Sequence, residues 1–169
     1  MESKAIIINR RFIESVIKSW DLWVSIFLAT FFYFLYQDNI NLEKCEKIFE
    51  VCIAFLSIIF SVYYAAYAVL VASGDDEFIR FLEEDGSYMD IILTFRYTLI
   101  LLFISLFFSV ILYFYSLLAL IEGISVSLMS IYFFFVMYAL FAVMQSSLDA
   151  VKYSEYRVRF LKIKKNKDF

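Results

Sequence analysis

The chain has no histidine, no proline and only three glycines among its 169 residues. Without histidine there is no serine–histidine or cysteine–histidine pair, no histidine metal ligand and no ordinary pH switch near neutrality. Three glycines cannot supply a phosphate-cradling loop of the P-loop or dinucleotide type. The two cysteines, Cys45 and Cys52, stand seven residues apart. On a helix they share a face but lie about 10 Å apart along the axis, too far for an intrachain disulfide. They are expected to act as small apolar residues, a bridge between copies being the alternative.

What the chain has in excess is apolar surface. Hydrophobic residues make up 63% of it, including 21 Phe and 13 Tyr, where soluble domains run at about 45–50%. A bilayer crossing needs about 20 apolar residues, and three stretches supply more. Val51–Gly74 is uncharged over 24 residues, Tyr97–Ile121 over 25 and Gly123–Leu148 over 26. A fourth, Leu22–Gln37, has 16 uncharged residues and is expected to begin in the headgroup region, with Trp20 and Trp23 as interfacial anchors. Its length, its aromatic content and the lack of a small-residue cleavage site set it apart from a cleaved signal peptide. The expected fold is therefore all-α: a single domain, residues 1–169, with four transmembrane helices near 20–37, 50–73, 92–121 and 124–149.

Gly74, Gly86 and Gly123 fall at the ends of these segments, so none breaks a span. That argues against transporters built on interrupted helices. The bases set the orientation. Thirteen lie in the N-terminal segment, the middle loop and the C-terminal tail, against Lys44 and Lys47 after the first span. The positive-inside rule then puts both termini in the cytoplasm.

The cytoplasmic parts carry an amphipathic pattern, an acidic run and a basic tail. About residues 8–19 read as an amphipathic helix leading into the first span. Phe12, Ile13, Val16 and Ile17 fall on one side of it, and Arg10, Arg11, Glu14 and Lys18 largely on the other. Asp75–Asp85 reads as a short acidic helix ending at Gly86, after which Ser87 and Asp90 resemble a capping pair. From Asp75 through Arg96 the net charge is −5, whereas the basic tail, residues 150–169 taken with Asp149, nets +4. Loop and tail are thus expected to pair, within or between copies. The stretch Arg157–Lys165 fits either a continued helix or a short strand.

Asp21, Glu50, Asp90, Arg96, Glu122 and Asp149 all fall at span ends, where long side chains reach water. No carboxylate pair and no metal-ligand set appears, so no enzyme activity, metal or cofactor is expected. Two small-residue stripes do appear. Thr98, Ser105, Ser109 and Ser116 lie within about 40° of one another at 100° per residue. Ala54, Ser57, Ser61, Ala65, Ala68 and Ala72 form the other. Such rows permit close helix packing, and the serine row could alternatively face a wetted pathway. Four spans in one copy enclose little room, so a channel requires a homo-oligomer with its pore on the symmetry axis.

Four spans, cytoplasmic termini and an amphipathic N-terminal segment, with Tyr63-Tyr64-Ala65-Ala66-Tyr67-Ala68 leading into acidic Asp75–Asp85, resemble the membrane effectors of bacterial antiphage defence operons. The likeness is greatest to the channel effectors of two-gene Hailong systems. It implies a homo-oligomeric, tetrameric ion channel in the bacterial inner membrane, sealed by its N-terminal helix. It also implies that short single-stranded DNA oligomers from a partner nucleotidyltransferase keep the channel closed, and that their loss on infection opens it and arrests growth. Arg10, Arg11 and Lys18 would then hold the ligand, helped by the basic tail. Two other classes fit the composition: a non-channel membrane subunit or scaffold, and an ungated holin-like pore.

The topology is directly testable. In a background with Cys45 and Cys52 replaced by serine, a membrane-impermeant thiol reagent applied from outside should label a cysteine at Asn41 and miss one at Lys165. The reverse pattern would invert the orientation.

Overall fold

The computed structural model describes residues 19–36, 40–72, 76–84, 87–118 and 123–167. The amphipathic segment 8–19, with Arg10, Arg11 and Lys18, lies almost wholly outside them. Five helices follow in order: α1 (Trp20–Leu35), α2 (Leu42–Ala72), α3 (Asp76–Glu84), α4 (Ser87–Leu117) and α5 (Val126–Lys167). The described residues are all-helical apart from a two-residue antiparallel pairing, Ile40 with Ile124 and Asn41 with Gly123, which joins the chain before α2 to the chain before α5.

Three helices, α2, α4 and α5, are long and apolar enough to cross a membrane. Helix α1 is apolar but has 16 residues, about 24 Å at 1.5 Å each, against a hydrocarbon core of about 30 Å. The long helices overrun the uncharged stretches because nothing in the sequence stops them. With no proline or interior glycine, α2 begins at Leu42 and carries Glu43 and Lys47 as an ion pair one turn apart, 2.8 Å. Helix α4 begins at Ser87 with Asp90 in its first turn, where a carboxylate favours the helix dipole. Of the two conformations open to Arg157–Lys165, the chain takes the helix, and α5 runs unbroken to Lys167.

Helix α4 is central. It packs against both α2 and α5, while α1 packs on α5. The buried core runs through Phe49, Leu56, Phe95, Leu102, Tyr132 and Ala139. Phe27, Phe34, Val62, Phe107 and Phe114 stand exposed on the outer faces. So large an apolar surface suits hydrocarbon rather than water.

Outside this bundle α3 is strongly amphipathic. It buries Phe78 and Leu82, with Phe78 edge-on to Tyr153 and Phe78 and Phe81 both against Phe160 of α5. Lys164 donates to Glu77 at 2.6 Å, so the acidic loop and the basic tail do meet within one copy. That hydrogen bond, with the ammonium charge beside it, holds the Glu77 carboxyl below its ordinary range. Because the folded-state value is lowered, this contribution is present above the ordinary carboxylate pKa and lost as pH falls through the folded one.

The two kinds of contact should separate by mutation. Both charges are solvent-exposed, so Glu77→Gln should change little. Phe78→Asp, placing a carboxylate in a buried apolar site, should release α3. Limited proteolysis in detergent should then cut Phe78→Asp within residues 76–84 and leave Glu77→Gln as resistant as the unmodified chain.

Candidate functional site: a buried polar line

Thr98, Ser105, Ser109 and Ser116 are all buried. They run down one face of α4 over 18 residues, about 27 Å at 1.5 Å per residue, and each hydroxyl is satisfied by protein. Thr98 donates to the Thr94 carbonyl at 2.9 Å and Ser116 to that of Tyr113 at 2.8 Å. Ser105 reaches across to the Phe135 carbonyl of α5 at 2.9 Å. Ser109 donates to the Ser105 carbonyl at 2.8 Å, and its oxygen lies 3.0 Å from the Tyr132 hydroxyl. These small side chains let α4 and α5 approach closely, and their hydroxyls bond across or back onto the helix. Within one copy the row faces protein rather than an opening.

Tyrosines of α4 and its neighbours extend this polar line; sequence reasoning noted Tyr63 only as part of its tyrosine–alanine stretch and gave Tyr132 and Tyr138 no role. Tyr132 packs edge-on against Phe49 while its hydroxyl meets Ser109. Tyr97 and Tyr138 share a hydrogen bond of 2.8 Å between α4 and α5. Tyr63 of α2 is buried, with the Thr98 and Ser146 side chains beside it, but its hydroxyl makes no hydrogen bond among the described residues. Ser146 itself donates to the Ala142 carbonyl at 2.8 Å. The spacing of Tyr132 and Tyr138, six apart, resembles ordinary aromatic core filling. Only the partners, distant in sequence, mark them out.

Asp21 departs from the sequence expectation. Rather than reaching water from a span end, it is 5% exposed, and its Oδ1 has no hydrogen-bond partner among the described residues. The cause is the docking of α1 along α5. Asp21, Ser25 and Ala29, spaced four apart, form the buried edge of α1. Trp20 fixes that docking, since its Nε1 donates to Gln145 at 3.2 Å and its ring lies edge-on to Phe141. Glu50, by contrast, is exposed and accepts from the Tyr113 hydroxyl at 2.9 Å.

Two apolar grooves flank the line. One, about 610 Å³, lies among α2, α4 and α5, bordered by Ile59, Val62, Tyr63, Phe95, Val143 and Tyr153. The other, about 490 Å³, lies between α1 and α5. Among the described residues no group of three His, Cys, Asp or Glu side chains could hold a metal ion, and Cys45 and Cys52 are thiols rather than halves of a disulfide. Compared with protein-family models, curated proteins and solved structures, the chain matches none.

The α4–α5 contact should be sensitive to bulk more than to the loss of one hydroxyl. Ser105→Ala removes an interhelical bond of a kind that averages about 0.6 kcal/mol. Ser109→Leu forces a branched side chain into a filled site, costing about 1–3 kcal/mol. Unfolding in mixed micelles of mild detergent and dodecyl sulfate should rank Ser109→Leu well below Ser105→Ala.

Proposed function

We propose that this chain is the pore-forming subunit of a homo-oligomeric ion channel in the bacterial inner membrane. In this proposal it crosses the bilayer four times, α1 included, with both termini in the cytoplasm. The observation that carries the proposal is the closed polar row of α4, whose buried hydroxyls are taken up by protein partners. A conducting path must then lie on an axis shared by several copies. The outward row on α2 favours such an assembly. Ala54, Ser61, Ala65, Ala68 and Ala72 are all exposed, leaving room for close approach of a second helix. A helix as short as α1 spans a bilayer by local thinning or by its flanking residues reaching the interface.

Gating belongs to the N-terminal segment in this proposal. Arg10, Arg11 and Lys18 hold an anionic ligand of the short single-stranded DNA type, made by a partner nucleotidyltransferase, and the occupied segment closes the pore. Loss of the ligand during infection opens the pore and arrests growth. A ligand that prefers the closed arrangement shifts the balance by its difference in affinity for the two states. Each lost phosphate contact should lower the log–log salt slope of binding by about 0.7 for a single strand.

Liposomes carrying the purified protein and an ion-sensitive dye test this. Ion flux should appear, short single-stranded DNA oligomers should suppress it, and Arg10→Glu with Arg11→Glu should leave the flux but abolish suppression. Flux that no oligomer alters would instead fit an ungated pore. Absence of flux from liposomes shown to contain folded protein would favour a non-channel scaffold.

A further inference from the structure

Helix α5 has 42 residues, about 63 Å at 1.5 Å each, roughly twice a hydrocarbon core of about 30 Å. Its last part carries Lys152, Arg157, Arg159, Lys162, Lys164, Lys165 and Lys167 against Glu155, a charge density that no bilayer interior accepts. With α5 taken as crossing the bilayer, this end stands in water. Yet Val151, Val158 and Leu161 there are 56%, 52% and 56% exposed. At 100° per residue they fall within about 80° of one another, and their seven- and three-residue spacing is that of a helix-pairing seam. Arg157 flanks the strip on one side, Lys162 with Glu155 beside it on the other, and Lys165 extends it by a turn, so the rim is net basic. The strip is turned about 140° away from Tyr153 and Phe160, the side that holds α3.

Apolar and basic together, the strip restricts what can cover it. A helix that crosses the bilayer without a break cannot also lie flat on the membrane surface. The same strip of a second copy would set Arg157, Lys162 and Lys165 against their own kind, a like-charge cost. A nucleic acid would meet the cations but leave three aliphatic side chains in water. An acidic amphipathic helix satisfies both. The other side of α5 already holds one: α3 buries Phe78 and Leu82, packs against Phe160 and places Glu77 on Lys164.

We propose that the Val151–Val158–Leu161 strip, rimmed by Arg157, Lys162 and Lys165, is a docking face for an acidic amphipathic helix of a partner protein. This rests on α5 crossing the bilayer and does not depend on channel activity.

The test uses the full chain in detergent micelles and a labelled synthetic peptide of about three heptads, leucine at a and d and glutamate at e and g. Fluorescence anisotropy should show saturable binding that weakens with added salt and falls about tenfold or more in Val158→Glu/Leu161→Glu. Phe160→Ala, on the α3 side, should leave it unchanged. Arg157→Glu/Lys162→Glu should weaken this peptide and favour one with lysine flanks. Circular dichroism confirms that each variant keeps its helix. The proposal is overturned by equal peptide binding to the unmodified chain and Val158→Glu/Leu161→Glu. It is also overturned if those two substitutions disassemble an oligomer, which would make the strip a copy-to-copy contact. A single-stranded DNA oligomer that binds both proteins alike while the acidic peptide binds neither would overturn it too.

Discussion

In hydrocarbon, helices gain nothing by hiding apolar side chains from one another, so the α4–α5 contact must be made of close packing and hydrogen bonds. The rest of the structure depends on that contact. Ser105 and Ser109 are small enough to bring the two backbones together. Their hydroxyls then find the Phe135 carbonyl and the Tyr132 phenol rather than empty space. Once α4 and α5 are set, α2 packs along α4 with Phe49 reaching Tyr132 of α5, and α1 is fixed along α5 through Trp20, Phe32 and the buried Asp21–Ser25–Ala29 edge. A single polar line thus serves as the frame, and its cost of burial is offset because nearly every hydroxyl on it is satisfied.

A second consequence follows from the uninterrupted length of α5. No proline or interior glycine stops it, so one rigid element joins the buried bundle to the region where the bases collect. Phe160 and Tyr153 take up α3 on one side of it, while Val151, Val158 and Leu161 stay open on another.

Much of this was legible in the sequence, for physical reasons that differ by element. The three long helices follow from uncharged length alone, and the acidic helix from the Asp75–Asp85 run with Gly86 behind it. The pairing of loop and tail was visible as opposite charge, although the aromatic contacts of Phe160 were not. Helix ends were read short because uncharged stretches mark the apolar core rather than where hydrogen bonding stops, so α2 begins at Leu42. The burial of Asp21 could not be read, since it depends on which face α1 turns to α5, and that depends on Trp20 meeting Gln145, 125 residues away. The serine row was visible as a face, but only the geometry gives its partners. Arg10, Arg11 and Lys18 rest on pattern and resemblance.

The central claim is that one copy holds no conducting path and several copies together make one. Single-molecule photobleaching of labelled protein in planar bilayers, recorded together with the current, tests it most directly. The account predicts discrete current steps only from spots that bleach in more than one step, and silence from single-step spots. Current from spots that bleach once, or bilayers that stay silent while multi-step spots are present, would contradict it.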